Sequence, residues 1–119
     1  MTLAVETTEI TTLKVQLLLA EGWFTACDLS ALHPGRGAAA LLPDGRQAAL
    51  FRDRAGRLYA IDNRDPFTGA AVLSRGLTGT HEGRPFVASP LLKQRFDLAN
   101  GECLDDASVR VTSYAVRAA

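Results

Sequence analysis

From Gly22 onward the chain alternates short apolar runs with turn signals, and no stretch sustains a 3.6-residue period. Residues 22–27 (GWFTAC) are rich in aromatic and β-compatible types and predict a strand. His33-Pro34-Gly35-Arg36-Gly37 predicts a loop, and residues 38–42 a second strand. Pro43-Asp44-Gly45-Arg46 is a turn, because Pro presets φ and Gly accepts positive φ. The run 47–51 is then the returning arm of a hairpin. A turn at Ala55-Gly56 precedes a strand over 58–61. Two more strands, 86–88 and 94–98, flank a Ser-Pro break, Asn100-Gly101 is a tight turn, and 109–116 reads as the closing strand. Many short strands separated by turns predict an all-β antiparallel sandwich or barrel. Residues 63–83 show little strand pattern, and segments this long inside a compact domain are usually functional or disordered.

The first 21 residues differ. Residues 1–12 are rich in Thr and Glu and carry no core pattern, whereas 13–20 fit either a short helix or a strand. The organisation expected is an N-terminal arm over 1–21 and one domain over 22–119. A 119-residue chain is one domain by length and buries about two-thirds of its unfolded surface without a metal or disulfide. Its apolar share, 47%, is that of a folded protein. Thirteen basic and thirteen acidic residues cancel, which argues against nucleic acid and gives an anionic membrane nothing to attract. The longest early apolar run, residues 17–20, is too short for a signal core or a membrane span, so a cytoplasmic location is the expectation.

Familiar catalytic patterns are missing. His33 and His81 have no Cys, carboxylate or second His at ligand spacing. Cys27 and Cys103 stand apart, each reading as a small buried hydrophobe. Ser89 lacks the Gly-x-Ser-x-Gly elbow of a nucleophile. Asp105-Asp106 offers too few oxygens for a hard cation and reads as a solvated turn. Arg52, Arg54, Arg57 and Arg64 cluster near one turn, either as a solvated face or as a docking patch for an acidic partner.

The stretches YAIDNRDPFTG and VASPLLKQRFDLANGE carry a resemblance. They resemble the two ligand loops of the Rieske family, which bring Cys-x-His and Cys-x-x-His to a [2Fe-2S] cluster. Asp65-Pro66-Phe67 stands where Cys-Pro-His would stand, and Ser89-Pro90-Leu91-Leu92 where Cys-Pro-x-His would stand. The flanks persist: Gly69 after the first loop, and Arg95-Phe96-Asp97 with Asn100-Gly101 after the second. All four ligand positions, Asp65, Phe67, Ser89 and Leu92, have changed. The chain is similar to the small subunits of assimilatory NAD(P)H nitrite reductase, a Rieske-like family that lacks the ligands. ALFR, VLSRGL, the ASPL-K-QRF-L run and the closing YAVR carry that similarity over most of residues 22–117.

The resemblance implies a Rieske-like antiparallel sandwich with two degenerate cluster loops. It implies a non-redox accessory subunit, with no catalytic residue, metal or cofactor on this chain. FAD, sirohaem and an iron–sulfur cluster belong to the large subunit, the partner, which takes electrons from NAD(P)H and reduces nitrite to ammonium. A stand-alone binding or scaffold module with another protein partner is the alternative; a redox ferredoxin fails on the missing ligands. The expected subunit contact is the loop tip, with Phe67, Arg75, Leu92, Lys93 and Arg95 as candidates. Phe67 and Leu92 are expected to face each other and close the former site as a small apolar core. Pro66 and Pro90 should stiffen the loops, while Asp65 and Ser89 bond nearby backbone amides.

Overall fold

The computed structural model describes residues 13–119, so the loose arm expected over 1–12 lies outside the described residues. The strands are β1 (Lys14–Leu19), β2 (Gly22–Asp28), β3 (Ala38–Leu41), β4 (Gln47–Arg52), β5 (Leu58–Asp62), β6 (Leu77–His81), β7 (Arg84–Ala88), β8 (Arg95–Asp97), β9 (Ser113–Tyr114) and β10 (Val116–Ala118). Two single 3-10 turns, Leu29–Ala31 and Leu73–Arg75, complete the regular structure. Among the described residues no helix is long and apolar enough to cross a membrane.

Three antiparallel sheets stack around two cores. Their strand orders are β10-β1-β2, β3-β4-β5-β9 and β6-β7-β8. The middle sheet is covered on both faces, which explains the unbroken apolar run of β4. Ala48 and Leu50 join Val15, Leu17 and Leu42 in one core. Ala49 and Phe51 turn the other way and join Leu73, Val87 and Phe96 in the second. This second core supports the outer sheet, and both loops of interest leave from its rim.

Three features differ from the sequence expectation. Residues 14–19, expected in the arm, form β1, which lies between β2 and β10; Val15 and Leu17 are fully buried. Their alternation is too short to exclude a helix by period alone. The patternless segment 63–83 contains β6, the edge strand of the outer sheet. Its sequence, LTGTH, lacks apolar alternation because most of its side chains are exposed. The closing strand is divided into β9 and β10 around Ala115, because the chain passes from β5 to β1 there.

Candidate functional site

Two loops meet at one end of the outer sheet: the first connects β5 to β6, the second β7 to β8. Each opens with a five-residue turn of the same construction. Gly69 N donates to the Asp65 carbonyl at 2.7 Å, and Lys93 N donates to the Ser89 carbonyl at 3.0 Å. Each turn ends in the left-handed region, at Gly69 (φ 79°) and Lys93 (φ 67°). Each holds Pro at its second position and caps its third amide from the first side chain. Phe67 N donates to Asp65 Oδ1 at 2.8 Å, and Leu91 N donates to Ser89 Oγ at 3.3 Å. These are the local bonds short polar residues make in turns.

The turns are also joined directly. Ser89 Oγ donates to Asp65 Oδ2 at 2.6 Å, with both residues buried. A bond from a hydroxyl to a carboxylate is short and stronger than a neutral one, and here it ties loops 24 residues apart. Behind it, Asn63 Oδ1 accepts from Ser74 N at 2.7 Å and Asn63 Nδ2 donates to Gln47 Oε1 at 3.0 Å. Asn63 thereby fixes the base of the first loop to the 3-10 turn and to β4. Gly76 lets the first loop press on the end of β7, from which the second loop leaves: a Cβ there would lie 2.2 Å from the Ala88 carbonyl oxygen.

The expected Phe67–Leu92 core does not form. Phe67 is 37% exposed and Leu92 56%. Turn position explains the difference. Phe67 is third in its turn, and its counterpart is Leu91, not Leu92. The third and fourth residues point outward, while the first residues, Asp65 and Ser89, point inward and close the site with a polar bond. Phe67 instead rests on buried Phe96, ring centroids 6.3 Å apart. The tip exposes the apolar side chains of Phe67, Leu91 and Leu92, with Arg75 and Lys93 exposed on the same loops.

Arg95 is committed elsewhere. Its guanidinium binds Asp105 through 2.8 and 3.2 Å contacts, and its backbone N–H donates to Asp105 Oδ2 at 2.8 Å. These bonds hold the Asp105 carboxyl below its ordinary pKa. Arg95 also lies over the Phe86 ring at 5.6 Å. The arginine cluster is divided too. Arg52, Arg54 and Arg57 surround the β4–β5 turn, with Arg57 bonded to Asp53 at 2.7 Å, whereas Arg64 begins the first loop at the other end of β5. Asp106 caps Ser108. Cys27 and Cys103 are free thiols packed in separate cores. His33 and His81 are exposed. Sequence reasoning missed Asn63, Leu77 and Leu91; the Asn closing an apolar strand and the Leu beside Leu92 were their only signals.

A family profile described as a Rieske-like [2Fe-2S] domain matches residues 22–119. The nitrite reductase (NADH) small subunit of Salmonella typhimurium is 45% identical over 96 residues, 80% of this chain and 88% of that protein. A crystal structure from Mycobacterium tuberculosis, assigned to an NADH-dependent nitrite reductase small subunit, aligns with a TM-score of 0.77 at 54% identity. It covers 80% of this chain and 84% of the other. In Klebsiella oxytoca, a stretch of the nitrite reductase NAD(P)H large subunit is 43% identical over 95 residues, 80% of this chain but 10% of that protein.

The donor set at these loops does not fit a [2Fe-2S] cluster. A Rieske cluster takes two thiolates and two imidazoles. Here two positions are the hydrocarbons Phe67 and Leu92, and the other two, Asp65 and Ser89, spend their oxygens on each other and on Phe67 N and Leu91 N. Neither cysteine belongs to either loop.

Proposed function

The chain belongs to the Rieske-like [2Fe-2S] domain family and, within it, to the nitrite reductase small subunits, and from that premise we propose how it serves the enzyme. It is an accessory subunit of an NAD(P)H nitrite reductase, an oxidoreductase, with the large subunit as its partner. It carries no redox centre and no catalytic residue, and acts by binding. The observation that carries this reading is the Ser89–Asp65 bond, which fills the inward positions of the two turns with each other. The Klebsiella large subunit, which includes a domain like this one, supports contact between the domain and the rest of that enzyme. FAD, sirohaem and an iron–sulfur cluster lie on the large subunit, where nitrite is reduced to ammonium, in the cytoplasm.

The tip is the docking surface. Phe67, Leu91 and Leu92 present apolar area, and Arg75 and Lys93 supply charge free of internal partners among the described residues. Apolar anchors with a nearby arginine are the usual composition of an interface hot spot. Arg95 contributes less than its sequence position implies, because Asp105 already neutralises it.

The test is a titration of the purified chain into the purified large subunit, with iron and acid-labile sulfide assayed on the chain alone. Binding that weakens in Leu92→Glu with Arg75→Glu, and chain free of stoichiometric iron, are the expected results. Two irons per chain, or no association with the large subunit, would overturn the reading.

A further inference from the structure

A groove of about 680 Å³ runs between the β4–β5 turn and β6, away from the loop tip. Its floor is apolar, with Phe51, Tyr59 and Leu98. One wall is basic: Arg52, Arg54 and Arg57 line it, and since Asp53 already pairs with Arg57, Arg52 and Arg54 carry its excess charge.

The opposite wall is the edge strand β6. It turns into β7 through Glu82 (φ 51°) and Gly83 (φ 78°), both positive as a type I′ hairpin requires. The flanking pair His81↔Arg84 is therefore the hydrogen-bonded pair, and alternation follows up the ladder. Leu77 and Gly79 bond toward β7. Thr78 and Thr80 turn their N–H and C=O groups outward, to an edge beside the groove that no strand among the described residues pairs with. Pro85, opposite Thr80, agrees with this register, since a residue without N–H suits the position that does not bond to β6. Gly79 keeps the edge flat by accepting the Phe86 ring, which would lie 2.7 Å from a Cβ there.

An open edge, an apolar floor and a basic wall together fit one kind of ligand. We propose that an extended acidic segment of the large subunit adds to β6 as a fourth strand of the outer sheet and fills this groove. The outward groups of Thr78 and Thr80 pair with its backbone. Its alternate side chains enter the groove, apolar ones against Phe51 and Tyr59 and carboxylates against Arg52 and Arg54. The arginines give orientation and encounter rate more than depth of binding. Leu77, 80% exposed, lines the groove and offers the added strand an apolar contact. The inference rests on the large subunit being the partner.

The experiment is amide hydrogen exchange on the full chain, free and with purified large subunit, combined with binding titrations of two variants. The Thr78 and Thr80 amides should exchange at least ~10-fold more slowly in the complex. Thr78→Pro, which deletes one outward N–H that an edge strand can spare, and Arg54→Glu with Arg57→Glu should each weaken binding ~10-fold or more. The chain's own melting temperature controls for folding. Normal binding by both variants with unprotected β6 amides would overturn the inference and leave the subunit assignment standing. No binding by the unaltered chain would instead defeat the assignment. Amides protected in the free chain and released on deleting residues 1–12 would make this chain's own segment the occupant, and would also overturn it.

Discussion

Removing the bond between the two turns should cost the fold more than any surface change. Ser89→Ala deletes the hydroxyl that reaches Asp65 Oδ2, leaving a fully buried carboxylate oxygen without that donor. Bonds to charged groups contribute about 1.5–3 kcal/mol, and stranding a buried acceptor adds its desolvation. The expected loss is therefore about 2–3 kcal/mol. Asp65→Ala strands Ser89 Oγ–H and Phe67 N together, and should lose a similar amount. The double variant strands neither side of the pair. Its loss should fall short of the sum by about 1–2 kcal/mol, the coupling expected of directly bonded residues. Urea denaturation of all four proteins measures this. With a slope of about 1–3 kcal/mol per molar for a small protein, each single variant should lower the midpoint by about 0.7–3 M. Additive losses would mean that the two side chains do not act on each other, and the account of how these loops hold together would fail.

Three further outcomes follow from the same geometry. Phe67→Ala should cost about 1–2 kcal/mol in denaturation, because the ring is partly exposed yet packed on Phe96; a loss of 3 kcal/mol or more would place it in the core. Gly76→Ala should destabilise by about 1–3 kcal/mol, since the new methyl group meets the Ala88 carbonyl and the Val87 side chain; an unchanged melting temperature would contradict the close approach of the first loop to β7. The Arg95 amide resonance should titrate with a midpoint below the usual aspartate value of about 3.9, because that amide donates to Asp105, whose pKa is lowered chiefly by its bonds to Arg95. A carboxyl held low contributes stability above its unfolded pKa and loses it as pH falls through the folded one. The tie should thus persist at neutral pH and fail only in strong acid; a midpoint at or above 3.9 would refute it.

Strands carrying turn chemistry at both ends were readable from sequence. The Pro43-Asp44-Gly45-Arg46 turn joins β3 to β4 as expected, because Gly45 takes φ 90° and Asp44 caps Arg46. The strands that were missed or merged lack such signals for physical reasons. β6 keeps few apolar residues because it is an exposed edge. β9 and β10 were read as one because nothing in SYAVRA marks the residue at which a chain changes sheets.

At the site, residue identity was legible and direction was not. Aligning the loops by their former ligand positions pairs Phe67 with Leu92, whereas the turns pair Phe67 with Leu91. That one-residue offset decides which side chains meet. The first residue of each turn points inward in both loops, so whatever stands there must satisfy its partner. A carboxylate and a hydroxyl can do so with one short bond. Two hydrocarbons at the outward positions could not, because the turn aims them at solvent. The same backbone that would present inward side chains to a shared ligand therefore makes Asp65 and Ser89 partners, and leaves Phe67, Leu91 and Leu92 uncovered at the tip. The proposed docking to the large subunit would cover the apolar surface that the site fails to bury.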